Sequence, residues 1–136
     1  MDRELLKAQL LKHEGLRLKP YRDTVGKLTI GVGRNLDDKG ISEGEAMRLL
    51  DGDIDETHAK LAAAFPLYAD MSGPRQRALL DMAFNLGVAG LLKFKTTLGH
   101  IQAGNYAKAA DAMLNSKWAA QVGQRAQTLA QMMRDG

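Results

Sequence analysis

The chain has 136 residues, of which 45% are hydrophobic and 26% charged, proportions typical of a single globular domain. It has no cysteine, which excludes disulfides and thiolate metal sites, and His13, His58 and His100 lack the spacing of metal ligands. No apolar run approaches the roughly 18–20 residues that a membrane-spanning helix needs, and residues 1–15 lack the apolar core of a secretory signal.

The formal net charge of +3 is unevenly distributed along the chain. Residues 1–29 carry seven Lys/Arg against four Asp/Glu, residues 30–92 carry six against ten, and residues 93–136 carry six against two. Basic ends that meet in space would attract an anionic polymer such as a nucleic acid or a bacterial wall, although on charge alone simple solubility is the better explanation. No predicted helix has a clustered Lys/Arg face, which argues against nucleic acid.

The N-terminal segment predicts a helix. Leucines at helical spacing, with Asp2 as N-cap and Gly15 as the terminating residue, indicate a helix over residues 2–14. Glu14 therefore lies in the last turn, where the helix macrodipole disfavours negative charge. Such a position suits a carboxyl that holds a proton, or one that a cation neutralises.

The next segment predicts a small antiparallel sheet. Apolar and basic residues alternate over residues 16–19, and Pro20 should end that strand or keep it at an edge. Residues 23–26 have turn chemistry, and residues 27–33 resume a β pattern. Residues 35–40 are expected to form a loop.

The remainder of the chain predicts helices. Ser42 and Glu45 form a capping box at the start of a long helix over about 43–63. Ser72 and Pro74 are start signals for an apolar, buried helix. Shorter helices are expected near 94–102, 105–115 and 124–133.

These elements predict an α+β fold in two lobes. The small lobe, about 15–45, holds the sheet, and a long helix joins it to a larger helical lobe of about 64–136 plus the helix 2–14. A cleft between two such lobes is the default position for a site.

Glu14, Asp23 and Thr29 have the residue types that glycoside hydrolysis requires. One carboxyl must donate a proton to the leaving oxygen, and the other must be ionised to activate water or attack the sugar. Glu14 suits the first role and Asp23, in a polar turn, the second. The hydroxyl of Thr29 both donates and accepts, so it could orient a water molecule. On spacing alone, a solvated pair of acids beside a hairpin remains an alternative.

The stretch HEGLRLKPYRDTVGKLTIGVGRN, residues 13–35, strongly resembles the phage-type lysozymes through the motif E-G-L-R-L-x-x-Y-x-D-T-x-G-x-x-T-I-G-x-G. The resemblance continues through GISEGEAMRLLDGDI, FNLG and SKW, and it covers nearly the whole chain. It implies a lysozyme-like two-lobed fold and an endolysin that hydrolyses, with inversion, the β-1,4 bond between N-acetylmuramic acid and N-acetylglucosamine. It also implies Glu14 as general acid, Asp23 as general base or electrostatic partner, and Thr29 as the residue that positions water.

The resemblance assigns further roles in the helical part. Arg125 matches a residue that pairs with the catalytic glutamate, with a surface charge as the alternative. Trp118 is expected in the core rather than as a sugar platform. The residues implied to contact substrate, with core packing or solvation as alternatives, are Phe84, Asn85, Phe94 and Lys117.

Two departures from the family pattern are visible. Arg34 stands where the best known phage enzyme has histidine, so any ion pair there must differ. The loop after Asn35 is shorter than in that enzyme, which predicts a smaller sheet lobe and leaves the far subsites of the cleft open.

Other functions remain open at this point. A lytic transglycosylase would give 1,6-anhydro products with one essential acid, a wall-binding module would need no acid pair, and chitin or chitosan are further substrates. We expect a monomer without cofactor, metal or stable membrane insertion. The resemblance implies synthesis in the host cytoplasm and access to peptidoglycan through a holin-type pore.

Overall fold

The computed structural model describes residues 1–136 as eight α-helices, one 3₁₀ helix and one three-stranded antiparallel sheet. This confirms the predicted α+β class. In chain order the elements are α1 (Arg3–Glu14), β1 (Arg17–Arg22), β2 (Leu28–Gly31), β3 (Arg34–Asn35), α2 (Glu43–Ala64), the 3₁₀ helix (Pro66–Asp70), α3 (Gly73–Leu86), α4 (Val88–Leu91), α5 (Lys95–Gln102), α6 (Tyr106–Leu114), α7 (Lys117–Val122) and α8 (Gln124–Asp135). None of these helices is both long enough and apolar enough to cross a membrane.

The chain divides into two compact units, residues 1–49 and residues 50–136, with the boundary inside α2. The division differs from the sequence-based one, which grouped residues 2–14 with the helical lobe. In the structure α1 belongs to the first unit, because it leads directly into the sheet and has no buried residue of its own.

Local signals in the first unit behave as the sequence predicts. The Asp2 side chain accepts the Leu5 N–H at 3.0 Å, and Gly15 ends α1 with φ of +76°. The sheet has the order β1-β2-β3, so β1 lies at an edge, where Pro20 interrupts no required ladder bond. The strand continues past Pro20, and its pairing with β2 is irregular between Arg17 and Tyr21.

Hydrogen bonds hold both ends of the segment between the sheet and α2. The short strand β3, which was expected to be loop from residue 35 onward, pairs Asn35 with Thr29. Its two residues are too few to show a β pattern. The capping box is confirmed: the Glu45 N–H donates to Ser42 Oγ, and the Ser42 N–H donates to Glu45 Oε1, both at 3.1 Å.

The hydrophobic core lies in the second unit. All nineteen buried apolar residues fall between Leu61 and Met133, and the buried face of α3 provides four of them. Ser72 caps the start of α3 as predicted, and Asn105 caps the start of α6. The six-residue helix α7 was not predicted. In residues 1–49, by contrast, the only buried residue is Thr29.

Candidate active site

Glu14 is the last residue of α1, and its carboxyl lies against the backbone of Gly33. A Cβ built on Gly33 would lie 3.1 Å from Glu14 Cδ and only 2.7 Å from Glu14 Oε2, and the second distance is shorter than real Cβ contacts. Gly33 has φ of +69°, a left-handed conformation that favours glycine. The end of a helix and the turn after β2 therefore position this carboxyl together.

Asp23 opens the turn between β1 and β2. Its Oδ1 accepts two backbone N–H groups, from Val25 at 2.9 Å and from Lys27 at 2.8 Å, and Gly26 with φ of +84° completes the turn. Both bonds go to one carboxylate oxygen. The geometry therefore fixes the carboxylate while leaving Oδ2 available to a further partner.

Thr29 follows two residues after Lys27, in β2, and is 3% exposed. Its hydroxyl donates to the Lys27 carbonyl at 2.9 Å, and the same carbonyl accepts the Asp23 N–H at 2.9 Å. The backbone of Lys27 thus anchors both side chains, through its N–H to Asp23 and its carbonyl to Thr29. Because the hydroxyl proton is used, the oxygen of Thr29 can serve an incoming molecule only as an acceptor.

Ion pairs brace the hairpin from outside. The Lys27 ammonium contacts Asp38 at 3.1 Å, and this hydrogen bond raises the pKa of Lys27. The Arg22 guanidinium lies 3.7 Å from Asp37, whose carboxylate also accepts the Leu28 N–H at 2.7 Å. The segment 37–38 therefore holds the same strands that carry Asp23 and Thr29.

Arg34, next to Gly33, pairs with Glu45 at 2.9 Å and donates to the Gly40 carbonyl at 3.2 Å. The hydrogen bond from Arg34, together with those from Ser42, lowers the pKa of Glu45 to about 2. The residue that departs from the family pattern thus finds an acidic partner at the start of α2. The ion pair between Arg34 and Glu45 thus connects the backbone that contacts the Glu14 carboxyl to the first turn of α2.

The other predicted site residues lie in the second unit. Arg125 pairs with Asp81, with 2.6 Å between Nη2 and Oδ1 and 2.8 Å between Nε and Oδ1. This partner was not predicted, and the pairing of Arg125 with Glu14 stays a prediction. Phe84 is 45% exposed and lines a surface pocket of about 270 Å³ together with Asp81 and Arg125.

Asn85 and Phe94 both contact Trp118. The indole N–H donates to Asn85 Oδ1 at 2.9 Å, and the Phe94 ring meets the indole edge to face at a centroid distance of 6.2 Å. Trp118 is 3% exposed, which confirms its place in the core. Lys117, in the first turn of α7, is exposed.

Sequence reasoning missed two contributors to these arrangements, Lys27 and Asp81. Lys27 acts through its backbone, which no residue type reveals. The glycines of TIGVG do predict a close approach to the backbone, and at Gly33 the group that approaches is the Glu14 carboxyl. Asp81 could have been noticed as the lone acid of an apolar helix. No group of three or more His, Asp or Glu side chains is placed to hold a metal ion.

The first unit thus holds two carboxyls and a buried hydroxyl, the residue types that glycoside hydrolysis requires. The family model described as phage lysozyme matches residues 11–134. The chain belongs to the phage lysozyme family and is a glycosidase-type enzyme that acts on cell walls.

Relatives agree with this assignment. The chain is 27% identical to a probable T4-type lysozyme 2 of Dictyostelium discoideum, over 96% of this chain and 94% of that protein. It is 31% identical to the SAR-endolysin of Escherichia phage Mu, over 85% and 66% of the two chains. An endolysin of Bacillus phage B103 is 37% identical, over 77% of this chain and 40% of its own length.

Proposed function

We propose that the chain is an inverting muramidase that hydrolyses the β-1,4 bond between N-acetylmuramic acid and N-acetylglucosamine in peptidoglycan. The observation that supports the proposal most directly is the shared anchoring of Asp23 and Thr29 on the backbone of Lys27, and we propose that the remaining acceptor positions of these two side chains receive one water molecule. Hydrolysis with inversion needs such a site, because water attacks directly.

Glu14 is the proposed general acid. Its protonated carboxyl gives its proton to the glycosidic oxygen as the bond from that oxygen to the anomeric carbon breaks. The close fit against Gly33 supports this role, since a proton donor must be held within hydrogen-bond reach of the leaving oxygen.

Asp23 is the proposed general base and Thr29 the proposed water-positioning residue. The water donates one hydrogen to Asp23 Oδ2 and the other to Thr29 Oγ1, which directs an oxygen lone pair at the anomeric carbon. As the new bond from water to carbon forms, Asp23 takes the proton. The charge balance closes, because Glu14 loses one proton and Asp23 gains one.

The test of reaction type is mass spectrometry of the muropeptides released from purified peptidoglycan. We expect reducing N-acetylmuramic acid ends. Products lighter by one water, with 1,6-anhydro ends, would instead indicate a lytic transglycosylase, and Asp23 would then be structural. Binding to walls without product would identify a wall-binding module. The same digestion of chitin or chitosan tests those glycans as substrates.

The test of residue roles is a pair of isosteric substitutions. Glu14→Gln and Asp23→Asn should each lower the initial rate by about 10²–10⁴-fold, the usual contribution of a positioned acid or base. Asp55→Asn, which changes an exposed acid of α2 that takes part in no ion pair, is the matched control and should keep most of the rate. Near-normal hydrolysis by Asp23→Asn would favour a mechanism with a single acid.

We further propose that exposed groups of the second unit contact the glycan or its peptide. Phe84 offers a large exposed ring, and Lys117 an exposed ammonium. The carbonyl oxygen of Asn85 is engaged by Trp118, so its amide N–H groups are available to donate to substrate. Phe94 packs on the core and is proposed to contribute one edge only.

The cellular setting follows from the family resemblance and is proposed on that basis. The enzyme would reach peptidoglycan on the far side of the inner membrane through a holin-type pore and would act as a monomer. Lysis of cells that express the chain with and without a co-expressed holin would test the first point, and sedimentation would test the second.

A further inference from the structure

A basic pocket of about 590 Å³ opens in the second unit beside the start of α5 and the outer face of α6. The side chains used below, all among its lining, are Lys93, Phe94, Lys95, Lys108, Asp111 and Asn115. We name this concavity the lysine pocket. It includes none of the residues proposed for the chemistry.

Its positive charge is uncompensated within the protein. Lys93, Lys95 and Lys108 take part in none of the ion pairs of the chain, so none has a carboxylate within 4 Å. The one acid in the lining, Asp111, is already engaged by Arg134 at 2.6 Å. Three ammonium groups around one concavity repel each other, and an anion in the pocket would relieve that repulsion.

The chemistry of the lining suits a phosphate group. Lysine is a point charge with three donors and a common phosphate ligand, and it lacks the planar fork through which arginine pairs with the two oxygens of a carboxylate or a phosphate. The lining contains three lysines and no arginine. Asn115 adds an amide donor, and Phe94 provides an apolar wall for the carbon atoms next to a phosphodiester.

We propose that the lysine pocket binds a phosphate group within a phosphodiester-linked polyanion of the cell envelope. The volume exceeds what one phosphate fills, which leaves space for the polyol or sugar on either side. The assignment of the polymer to the cell envelope rests on the proposed muramidase function, whereas the pocket and its charge are independent of it. Binding of such a polymer would hold the enzyme on walls that carry it.

The experiment measures binding rather than lysis, so it is independent of the muramidase proposal. Purified poly(glycerol phosphate) is titrated into the full chain carrying Glu14→Gln, by calorimetry at low salt. Poly-γ-glutamate of the same length and charge, and vesicles of phosphatidylglycerol, are titrated in parallel. We expect saturable binding of poly(glycerol phosphate) that is at least about tenfold tighter than binding of either comparison ligand.

Two triple variants separate the pocket from net charge. One replaces the three pocket lysines by glutamine, and the other replaces Lys12, Lys19 and Lys39, which are equally exposed and unpaired. All six side chains are exposed, so we expect both variants to fold, which circular dichroism checks. The pocket variant should lose about tenfold or more in affinity, and the other about twofold or less.

Equal losses in the two variants would overturn the proposal, because only net charge would then matter. Equal binding of poly-γ-glutamate would overturn the choice of phosphate. Binding to the vesicles without binding to poly(glycerol phosphate) would overturn the choice of polymer, and no binding to any of the three would remove the site.

Discussion

Replacing Gly33 by alanine tests how the Glu14 carboxyl is held. The new Cβ would lie 2.7 Å from Glu14 Oε2, and ordinary contact begins near 3.4 Å, so the carboxyl would have to move by about 0.7 Å. Displacement of a reacting group by about 1 Å can cost about 10²-fold in rate. We therefore expect the initial rate of Gly33→Ala to fall by about 10–100-fold.

Gly31→Ala is the matched control. Gly31 has the same φ of +69°, but a Cβ on it meets nothing within 4 Å. An alanine in this left-handed conformation costs about 1–2 kcal/mol at either position. Both variants should therefore lose similar stability in thermal unfolding, while only Gly33→Ala should lose most of its rate of muropeptide release, measured well below both melting temperatures.

A double-mutant comparison makes the reasoning refutable. In a Glu14→Gln background, Gly33→Ala should cause little further loss, since the group that it displaces no longer donates a proton. If Gly31→Ala and Gly33→Ala lose activity equally, backbone strain rather than the position of the carboxyl is responsible. If Gly33→Ala keeps full activity, the contact has no catalytic role.

Other consequences can be measured without a full substrate assay. The folded-state pKa of Glu45, about 2, lies below its ordinary value of 4.5, so the stability that Glu45 contributes should be complete above about pH 5 and lost as the pH falls towards 2. The difference in melting temperature between the wild type and Glu45→Gln should therefore shrink between about pH 5 and about pH 2. A difference that stays constant down to about pH 2 would exclude this linkage. Arg75 donates to the last carbonyls of α8 and stacks on Tyr106, so Arg75→Ala should destabilise the fold by about 1–3 kcal/mol in urea unfolding, and Arg77→Ala much less. Trp118→Phe removes the donor to Asn85, an exposed residue, and should cost about 0.5–1.5 kcal/mol by the same measurement; an unchanged stability would mean that this hydrogen bond contributes nothing.

Elements with a local signal could be predicted from the sequence. Capping residues predict where a helix starts, because a capping side chain bonds N–H groups of its own neighbours and these contacts need no tertiary structure; here they are Asp2, Ser42 and Asn105. The hairpin was equally visible from its turn residues. The strand β3 and the helix α7 gave no such signal, since elements of two and six residues depend on what they pack against.

The partners of charged side chains were much harder to predict. Arg125 could be recognised as a residue that pairs, but Asp81 lies 44 positions away in the chain, and only folding brings them together. Arg34 with Glu45 is the same case at a shorter range of 11 positions. A sequence motif indicates candidate reacting groups, whereas long-range contacts decide what holds them.

The spacing of Asp23 and Thr29 illustrates why the motif is nevertheless informative. Asp23 accepts the N–H of the residue four positions later, and Thr29 donates to the carbonyl of the residue two positions earlier, so both requirements meet at Lys27. One residue more or fewer between Asp23 and Thr29 would break one of these bonds, because each is set by the turn. A solvated pair of acids would tolerate such a change, and an anchored base and water acceptor would not. The fixed spacing is therefore a consequence of the backbone geometry that the proposed water site requires.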